Sequence, residues 1–247
     1  MSYAIVTGAS RGLGAGMAKK LAQMGYDVVV NYTSESSAEK AQTVADDIIG
    51  VYNKKALVVK ADMSTLEGCE QLVYESREHF GDDIAVLINN AGISQTQDFL
   101  DTSLERIKFI VDTNLMSVLY MSRLVYPLMV DKGKGCVIDI ASTGGINGCQ
   151  GQIVYTATKA GIIGLVKGFT AEFAHLGIRT NAIAPGLTET DIIRGLGEEA
   201  IEYCKNTNPM RDNGTVDDIV DAMEYLVKTR FVCGQTIVVD GGGSVVA

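Results

Sequence analysis

Histidine is scarce: His79 and His175 are the only two in 247 residues. Neither stands in a metal-ligand spacing such as H-E-x-x-H, and a serine–histidine–acid triad would have to use one of them. His79 precedes Phe80-Gly81 and His175 precedes Leu176-Gly177, a pattern that puts each at a helix C-terminus. Metal and triad chemistry are set aside on these grounds. Basic residues are also in deficit, with 21 Lys and Arg against 30 Asp and Glu, a net charge of −9 and a pI near 4.8. A nucleic-acid or anionic-membrane surface would need basic patches that such a chain is poorly placed to provide. No apolar run approaches the roughly 18 residues of a membrane span. The start, Met1-Ser2-Tyr3-Ala4-Ile5-Val6, carries no basic leader, so no signal peptide is expected. Cys69, Cys136, Cys149, Cys204 and Cys233 are odd in number, scattered and never in C-x-x-C. They read as reduced thiols of a cytoplasmic protein.

What is present is an ordinary globular balance, 47% hydrophobic and 21% charged, able to bury a real core. Its length suits one large α/β domain or two small ones. Tyr3-Ala4-Ile5-Val6 is a short apolar run, followed by Thr7-Gly8-Ala9-Ser10-Arg11-Gly12-Leu13-Gly14 and a helical pattern through Leu21. Strand, glycine-rich turn and helix in that order form a phosphate cradle, because glycines let the backbone approach a pyrophosphate at a helix N-terminus. The spacing is G-x-x-x-G-x-G, not the commoner G-x-G-x-x-G.

Asp27-Val28-Val29-Val30 reads as a second strand, ending in Asn31-Tyr32-Thr33-Ser34. In dinucleotide folds an acid at this place binds the adenosine ribose hydroxyls, whereas an arginine nearby accommodates a 2′-phosphate. No acid occupies residues 31–34 and Arg11 lies in the facing loop. NADP(H) is therefore favoured over NAD(H). A helix is expected from about Ser36 to Gly50, a strand over Ala56 to Lys60, and a helix from about Leu66 to Phe80. Asp62 stands between the latter two, placed either to touch an adenine or to cap the helix. Ile84 to Ile88 is apolar throughout, as a strand covered on both faces should be, and runs into Asn89-Asn90-Ala91-Gly92. A long helix is expected from roughly Leu104 to Val130. Asn114 in its middle is a mediocre helix former, suited to a local irregularity or to holding a water. Pro127 is expected to kink or end that helix.

The strand Cys136 to Ala141 leads to Ser142-Thr143-Gly144-Gly145, and the next helix carries Tyr155-Thr156-Ala157-Thr158-Lys159. A tyrosine and a lysine four apart share one helix face about 6 Å from each other. Free tyrosine, with a pKa of about 10, is a poor proton shuttle at neutral pH. Lowering it to about 7 takes about 4 kcal/mol, at about 1.36 per unit, which an ammonium in a dry cleft and a cationic cofactor ring can supply. Small residues Ala157, Ala160, Gly161, Gly164 and Gly168 line the same helix, suiting close packing against a partner subunit or within the chain. Strand Ile178 to Ala184 enters Pro185-Gly186-Leu187-Thr188-Glu189-Thr190, and residues 187–212 show no strong period, as a substrate lid over a sheet edge would. A helix from about Val216 to Lys228 and a strand from Gln235 to Val239 close the chain. Six or more strands alternating with helices, without linker or repeat, predict one doubly wound parallel-sheet α/β domain over residues 1–247.

Thr7-Gly8-x-x-x-Gly12-x-Gly14, Asn89-Asn90-Ala91-Gly92, Ser142, Tyr155-x-x-x-Lys159 and Pro185-Gly186 occur in this order. Together they resemble the short-chain dehydrogenase/reductase family, in its compact single-domain branch, with a Rossmann-type fold. The resemblance runs from Ser2 to Val239-Asp240-Gly241-Gly242. It implies that Tyr155 is the general acid or base, that Lys159 lowers its pKa and binds the nicotinamide ribose, and that Ser142 holds the substrate oxygen. Asn114 would hold a water linking Lys159 to solvent. For the cofactor, Gly8, Ser10, Arg11, Gly12, Leu13 and Gly14 would cradle the pyrophosphate side. Asn31 would lie beside the adenosine, with Asp62 and Met63 flanking adenine and Asn90 and Gly92 near the adenosine ribose. Pro185, Gly186, Thr188 and Thr190 would meet the carboxamide and phosphates. The implied activity is NADP(H)-dependent interconversion of a ketone and a secondary alcohol, and the implied assembly a homotetramer or homodimer. Among relatives the sequence most resembles 3-oxoacyl-thioester reductases. It departs from them where they dock an acyl carrier protein: Gly133, Leu176 and the segment Ile93 to Asp98 lack the expected basic residues. That departure raises a free small-molecule ketone as the alternative substrate, with a non-catalytic nucleotide-binding protein a more distant one.

Overall fold

The polypeptide alternates strand and helix along nearly its whole length. The computed structural model describes residues 2–189, 202, 205, 206 and 208–246. Strands β1 (Tyr3–Val6), β2 (Asp27–Tyr32), β3 (Ala56–Lys60), β4 (Ile84–Asn89), β5 (Gly135–Ile140), β6 (Ile178–Pro185) and β7 (Thr236–Val239) form one sheet in the order β3-β2-β1-β4-β5-β6-β7. Every neighbouring pair is parallel. This is the doubly wound, single-domain α/β architecture that the alternation of elements predicts.

Helices α1 (Gly12–Gln23), α2 (Ala38–Tyr52), α3 (Leu66–Phe80), α4 (Leu104–Val111), α5 (Ser117–Lys132), α6 (Gly144–Asn147), α7 (Ile153–Phe173), α8 (Val216–Lys228) and α9 (Gly243–Val246) account for most of the remainder. Successive strand residues point to opposite faces, so each strand feeds two cores. Ala4, Val6, Val28, Val30, Ile88 and Ile138 pack with Met17, Leu21 and Met223 of α1 and α8. Tyr3, Ile5, Val29, Leu87 and Val137 pack with Leu72 of α3 and Met121, Val125 and Met129 of α5. Because both faces are covered, the central strands are apolar at nearly every position, and the exceptions are informative.

The expected 104–130 helix is three pieces. α4 passes into a π-helical turn, Asp112–Met116, before α5 begins. That wide turn carries Asn114, so the local irregularity expected of this residue is present. Pro127 does not end the helix, which continues to Lys132. Both Pro127 and Arg123, whose carbonyl loses its i+4 donor, face solvent. Water can therefore satisfy the freed group. His79 does lie in the last turn of α3 and His175 in a short turn closed by Gly177, as expected. Asp62 does not cap α3; Thr65 does, its side chain accepting the Gly68 amide at 3.0 Å.

Parallel pairing puts all carboxyl ends of the strands at one edge. Thr7-Gly8 follows β1, Asn90 to Gly92 follow β4, Ser142 lies just after β5 and Gly186 follows β6. The strand order reverses between β1 and β4, and ligands of such sheets bind in the crevice that this reversal opens.

Candidate active site

The glycine turn after β1 is held by side chains that the motif itself supplies. Thr7 Oγ1 accepts the amides of Asn90 at 2.9 Å and Ala91 at 3.0 Å, tying the ends of β1 and β4 together. Asn90 Nδ2 donates to the carbonyls of Thr7 and Gly8 at 2.9 and 3.1 Å. Asn31 is fully buried, its Oδ1 accepting the Gly8 amide at 3.0 Å and its Nδ2 donating to the Ala61 carbonyl at 3.1 Å. The Asn31 side chain thus braces the glycine turn. Both ends of the amide are spent on protein. Met63 is likewise 1% exposed and packed in the core, which leaves its backbone, not its side chain, to face an adenine. Asp62 Oδ1 accepts the amide and hydroxyl of Ser64 at 2.9 and 2.8 Å.

Gly8 and Gly12 have φ of +63° and +55°, which favours glycine. Gly14 is required by space: a Cβ there would clash with the Gly8 carbonyl oxygen and come within 2.7 Å of Asn90 Nδ2. Helix α1 begins at this turn with no side-chain cap and no acid in its first turn. The N-termini of α3, α4 and α8 are capped by Thr65, Ser103 and Thr215, whereas α2, α5 and α7, like α1, have no side-chain cap. An uncapped helix N-terminus has free amide donors and a positive end, and glycines clear the approach to it. Those features fit the pyrophosphate of a dinucleotide. Arg11, the residue before the first turn of α1, is exposed, and no ion pair among the described residues engages it.

Ser142, Tyr155, Lys159 and Asn114 come together over the ends of β4 and β5. The Lys159 ammonium, 4% exposed, donates to the Ile140 carbonyl at 2.7 Å and sits 5.7 Å from the centre of the Tyr155 ring. The missing Cβ of Gly144 would be 3.4 Å from Ser142 Oγ and 3.6 Å from Tyr155 Cε1, so hydroxyl and ring border one small space. The missing Cβ of Gly92 would be 3.3 Å from Asn114 Oδ1 and 3.5 Å from Lys159 Nζ, so glycine here keeps that corner open. Asn114 is pinned by Ile93: its Nδ2 donates to the Ile93 carbonyl at 2.9 Å and its Oδ1 accepts the Ile93 amide at 2.8 Å.

The chain alone sets the protonation of this cluster. Burial raises the Tyr155 pKa, the Ser142 hydroxyl lowers it and Cys149 raises it again; Lys159 is not among the causes. The ammonium is committed to the Ile140 carbonyl and reaches the ring only at a distance. The chain by itself therefore holds Tyr155 as a neutral phenol, the form that donates a proton. Burial lowers the Lys159 pKa to about 8, a shift that only a charged Asp139 would oppose.

Pro185 and Gly186 lie beside this group: the Pro185 carbonyl accepts the Thr143 amide at 3.0 Å and Gly186 donates its own to Val239 at 2.9 Å. Thr188 is buried and donates to the Gly186 carbonyl at 3.3 Å. Thr190 and most of the expected 187–212 lid lie outside the described residues. The base of that segment is closed by a bridge between Thr188 and Gly214. The segment Ile93 to Asp98 has no arginine of its own, but Arg106 of α4 donates to Gln95. Sequence reading quoted Thr7 and Asn89 within motifs but gave them no role of their own, and passed over Asp139, although an aspartate inside the apolar run Cys-Val-Ile-Asp-Ile was a legible signal. Among the described residues no cluster of His, Cys, Asp and Glu could hold a metal, and no helix is long and apolar enough to cross a membrane.

A fold with an uncapped glycine turn at its switch point and a tyrosine–lysine–serine cluster at the same edge defines a nicotinamide-dependent oxidoreductase. A family model described as enoyl-(acyl carrier protein) reductase matches residues 8–244. The chain is 35% identical over 241 residues to the 3-oxoacyl-[acyl-carrier-protein] reductase FabG of Staphylococcus aureus, spanning 97% of this chain and 96% of that protein. It is 36% identical over 242 residues to the 3-oxoacyl-[acyl-carrier-protein] reductase of a Synechocystis species, spanning 97% and 95%. A crystallised candidate gluconate dehydrogenase from Agrobacterium tumefaciens superposes with a TM-score of 0.92 at 30% identity, over 100% of this chain and 97% of that one. The chain belongs to the short-chain dehydrogenase/reductase family and is an NAD(P)-dependent oxidoreductase of the alcohol–carbonyl class.

Proposed function

We propose that this protein reduces a ketone, of the 3-oxoacyl-thioester type, to a secondary alcohol with NADPH, using Tyr155 as the proton donor. The observation that carries the reading is the meeting of Ser142, Tyr155, Lys159 and Asn114 beside an uncapped helix N-terminus. Gly8 to Gly14 would hold the pyrophosphate, Asp62 with the Met63 backbone the adenine side, and Lys159 with Gly186 and Thr188 the nicotinamide side. When bound, the cofactor supplies hydride to the carbonyl carbon. The residues supply the rest. Ser142 directs its hydroxyl at the carbonyl oxygen, where negative charge develops, and Tyr155 delivers its proton to that oxygen. Lys159 stabilises the phenolate left behind, and Asn114 keeps the route from Lys159 toward Ile93 polar. α7 is open at Gly164 and Gly168, where no atom lies within 4 Å of a built Cβ. That face suits a second copy of the chain, and a homotetramer is the assembly we expect.

The substrate is tested by NADPH consumption with an acetoacetyl thioester and a bulky cyclic ketone side by side, with a 2-enoyl thioester as control. Turnover of the thioester carries the proposal. Turnover of the cyclic ketone alone supports the second reading, a free-ketone enzyme, which the acidic surface and the absence of basic residues at Gly133 and Leu176 favour. No turnover with any of them supports a nucleotide-binding protein without activity.

Cofactor choice is tested at Arg11. A hydrogen bond to a charged group contributes about 1.5–3 kcal/mol, so Arg11→Ala should lower kcat/KM for NADPH about 10- to 100-fold. The value for NADH should hardly change. Equal losses with both cofactors would remove Arg11 from 2′-phosphate recognition.

A further inference from the structure

Asp139 lies on β5 with 0% exposure. It stands opposite Asn89 of β4 in the parallel register, and Asn89 Nδ2 donates to Asp139 Oδ1 at 2.8 Å. The other two polar atoms of this pair, Asp139 Oδ2 and Asn89 Oδ1, are both buried without a partner. As a carboxylate, Asp139 leaves both acceptors unfilled, because neither atom has a proton to give. A single proton on Oδ2 would supply a donor for the amide oxygen while the other carboxyl oxygen keeps accepting from the amide nitrogen, the cyclic pairing open to a carboxylic acid and a primary amide. Leaving two buried polar groups unsatisfied would be costly, so the protonated form is the one the site is built for.

We infer that Asp139 is carried as a neutral carboxylic acid hydrogen-bonded to Asn89, and that it is a positioning residue keeping the space beneath Lys159 free of negative charge. The second half rests on the reading of Lys159 as part of the active site. Lys159 bonds to the carbonyl of Ile140, the residue after Asp139. An anion beneath it would draw the ammonium inward and offset the field it exerts on the tyrosine. With Asp139 neutral, that field is directed at the cleft. The groups that face Asp139 agree. Lys159 approaches from α7 and Tyr126 from α5, β4 presents Asn89, and Ala182 is the β6 register partner. Among the described residues Lys159 is therefore the single cation near it, and it is not in hydrogen-bond contact. Burial outweighs both the Asn89 bond and Lys159, raising the Asp139 pKa from 3.8 to about 7.

A carboxyl whose folded pKa exceeds its unfolded value binds more protons in the folded state, so its contribution to stability falls as pH rises between the two. Asn is the isostere of the protonated acid, able to make both hydrogen bonds without a charge. Asp139→Asn should therefore be more stable than wild type at pH of about 8, by roughly 10 °C in Tm. The gap should open between about pH 4 and 7 and stay level above. Infrared spectroscopy of the wild type should show one protonated carboxyl carbonyl band that titrates near neutrality, apart from exposed carboxyls that titrate near about 4, and this band should be missing from Asp139→Asn. An Asp139→Asn protein destabilised equally at every pH would overturn the inference, because it would mean that a counter-ion of Lys159 had been lost. So would a wild type without the band; that arm needs no folded variant. Neither readout depends on turnover, so the protonation of Asp139 can stand while the proposed activity fails, and the reverse; its positioning role holds only if both do.

Discussion

Tyr155→Phe should lower kcat about 10²- to 10⁴-fold, the contribution usual for a positioned proton donor, while the dissociation constant for NADPH changes little. The ring occupies a tight place, bordered by the Gly144 backbone and by Ser142 and lying near the Lys159 ammonium. Phenylalanine fills nearly the same volume, so packing is retained and only the hydroxyl is lost. Removing it deprives the developing alkoxide of its proton and leaves the Ser142 hydroxyl as the remaining donor. Transient kinetics separates the effects: cofactor binding read by fluorescence should persist, and single-turnover reduction should be slow. A variant that binds NADPH and turns over as well as wild type would place the proton donor elsewhere.

Gly14→Ala carries the second large effect, and two opposed magnitudes decide its sign. In a helix interior, alanine is favoured over glycine by about 1 kcal/mol. At Gly14, however, the new methyl meets backbone, with Ala9 Cα 2.9 Å away and the Gly8 carbonyl closer. Overpacking of this kind costs about 1–3 kcal/mol, and relief requires moving the Gly8 turn or the Asn90 side chain. Either movement spoils the cradle. Gly14→Ala should thus lose at least about 100-fold in NADPH affinity, together with several degrees in Tm. Gly50→Ala is the matched control, since nothing lies within 4 Å of a Cβ there on α2. Propensity acts alone at that position, and the variant should be slightly more stable than wild type. A Gly14→Ala protein that behaves like Gly50→Ala would remove the steric account of the turn.

Most of the fold was legible because a parallel sheet covered on both faces writes itself as short apolar runs between helical periods. Each of the seven strands was expected, with ends off by a residue or two, for example at Gln235 and Pro185. The residues that meet in the candidate site were legible for a different reason, the order of their motifs along one chain. What escaped was set by contacts across the sheet. Asn31 looked available to a ligand because nothing local shows that Gly8 and Ala61 take up both ends of its amide. Met63 looked like a wall of the adenine site, yet its side chain turns into the core. The π-helical turn at Asn114 depends on the loop at Ile93, 21 residues away. The direction of the Tyr155 pKa shift depends on burial, which no spacing of tyrosine and lysine reveals. Asp139 was visible as an odd letter in an apolar strand, but its meaning needed Asn89 on the neighbouring strand.

The central claim is carbonyl reduction with proton delivery from Tyr155, and label transfer tests it most directly. The protein is incubated with NADPH deuterated at the transferable position of the nicotinamide and with an acetoacetyl thioester, and the product is examined by mass spectrometry. The account predicts one deuterium on the carbinol carbon of a 3-hydroxyacyl product from the wild type, and almost none from Tyr155→Phe in the same time. Label at that carbon at equal rates in both proteins would contradict the role of Tyr155. Label transferred to the 2-enoyl thioester and not to the ketone would contradict the reaction itself.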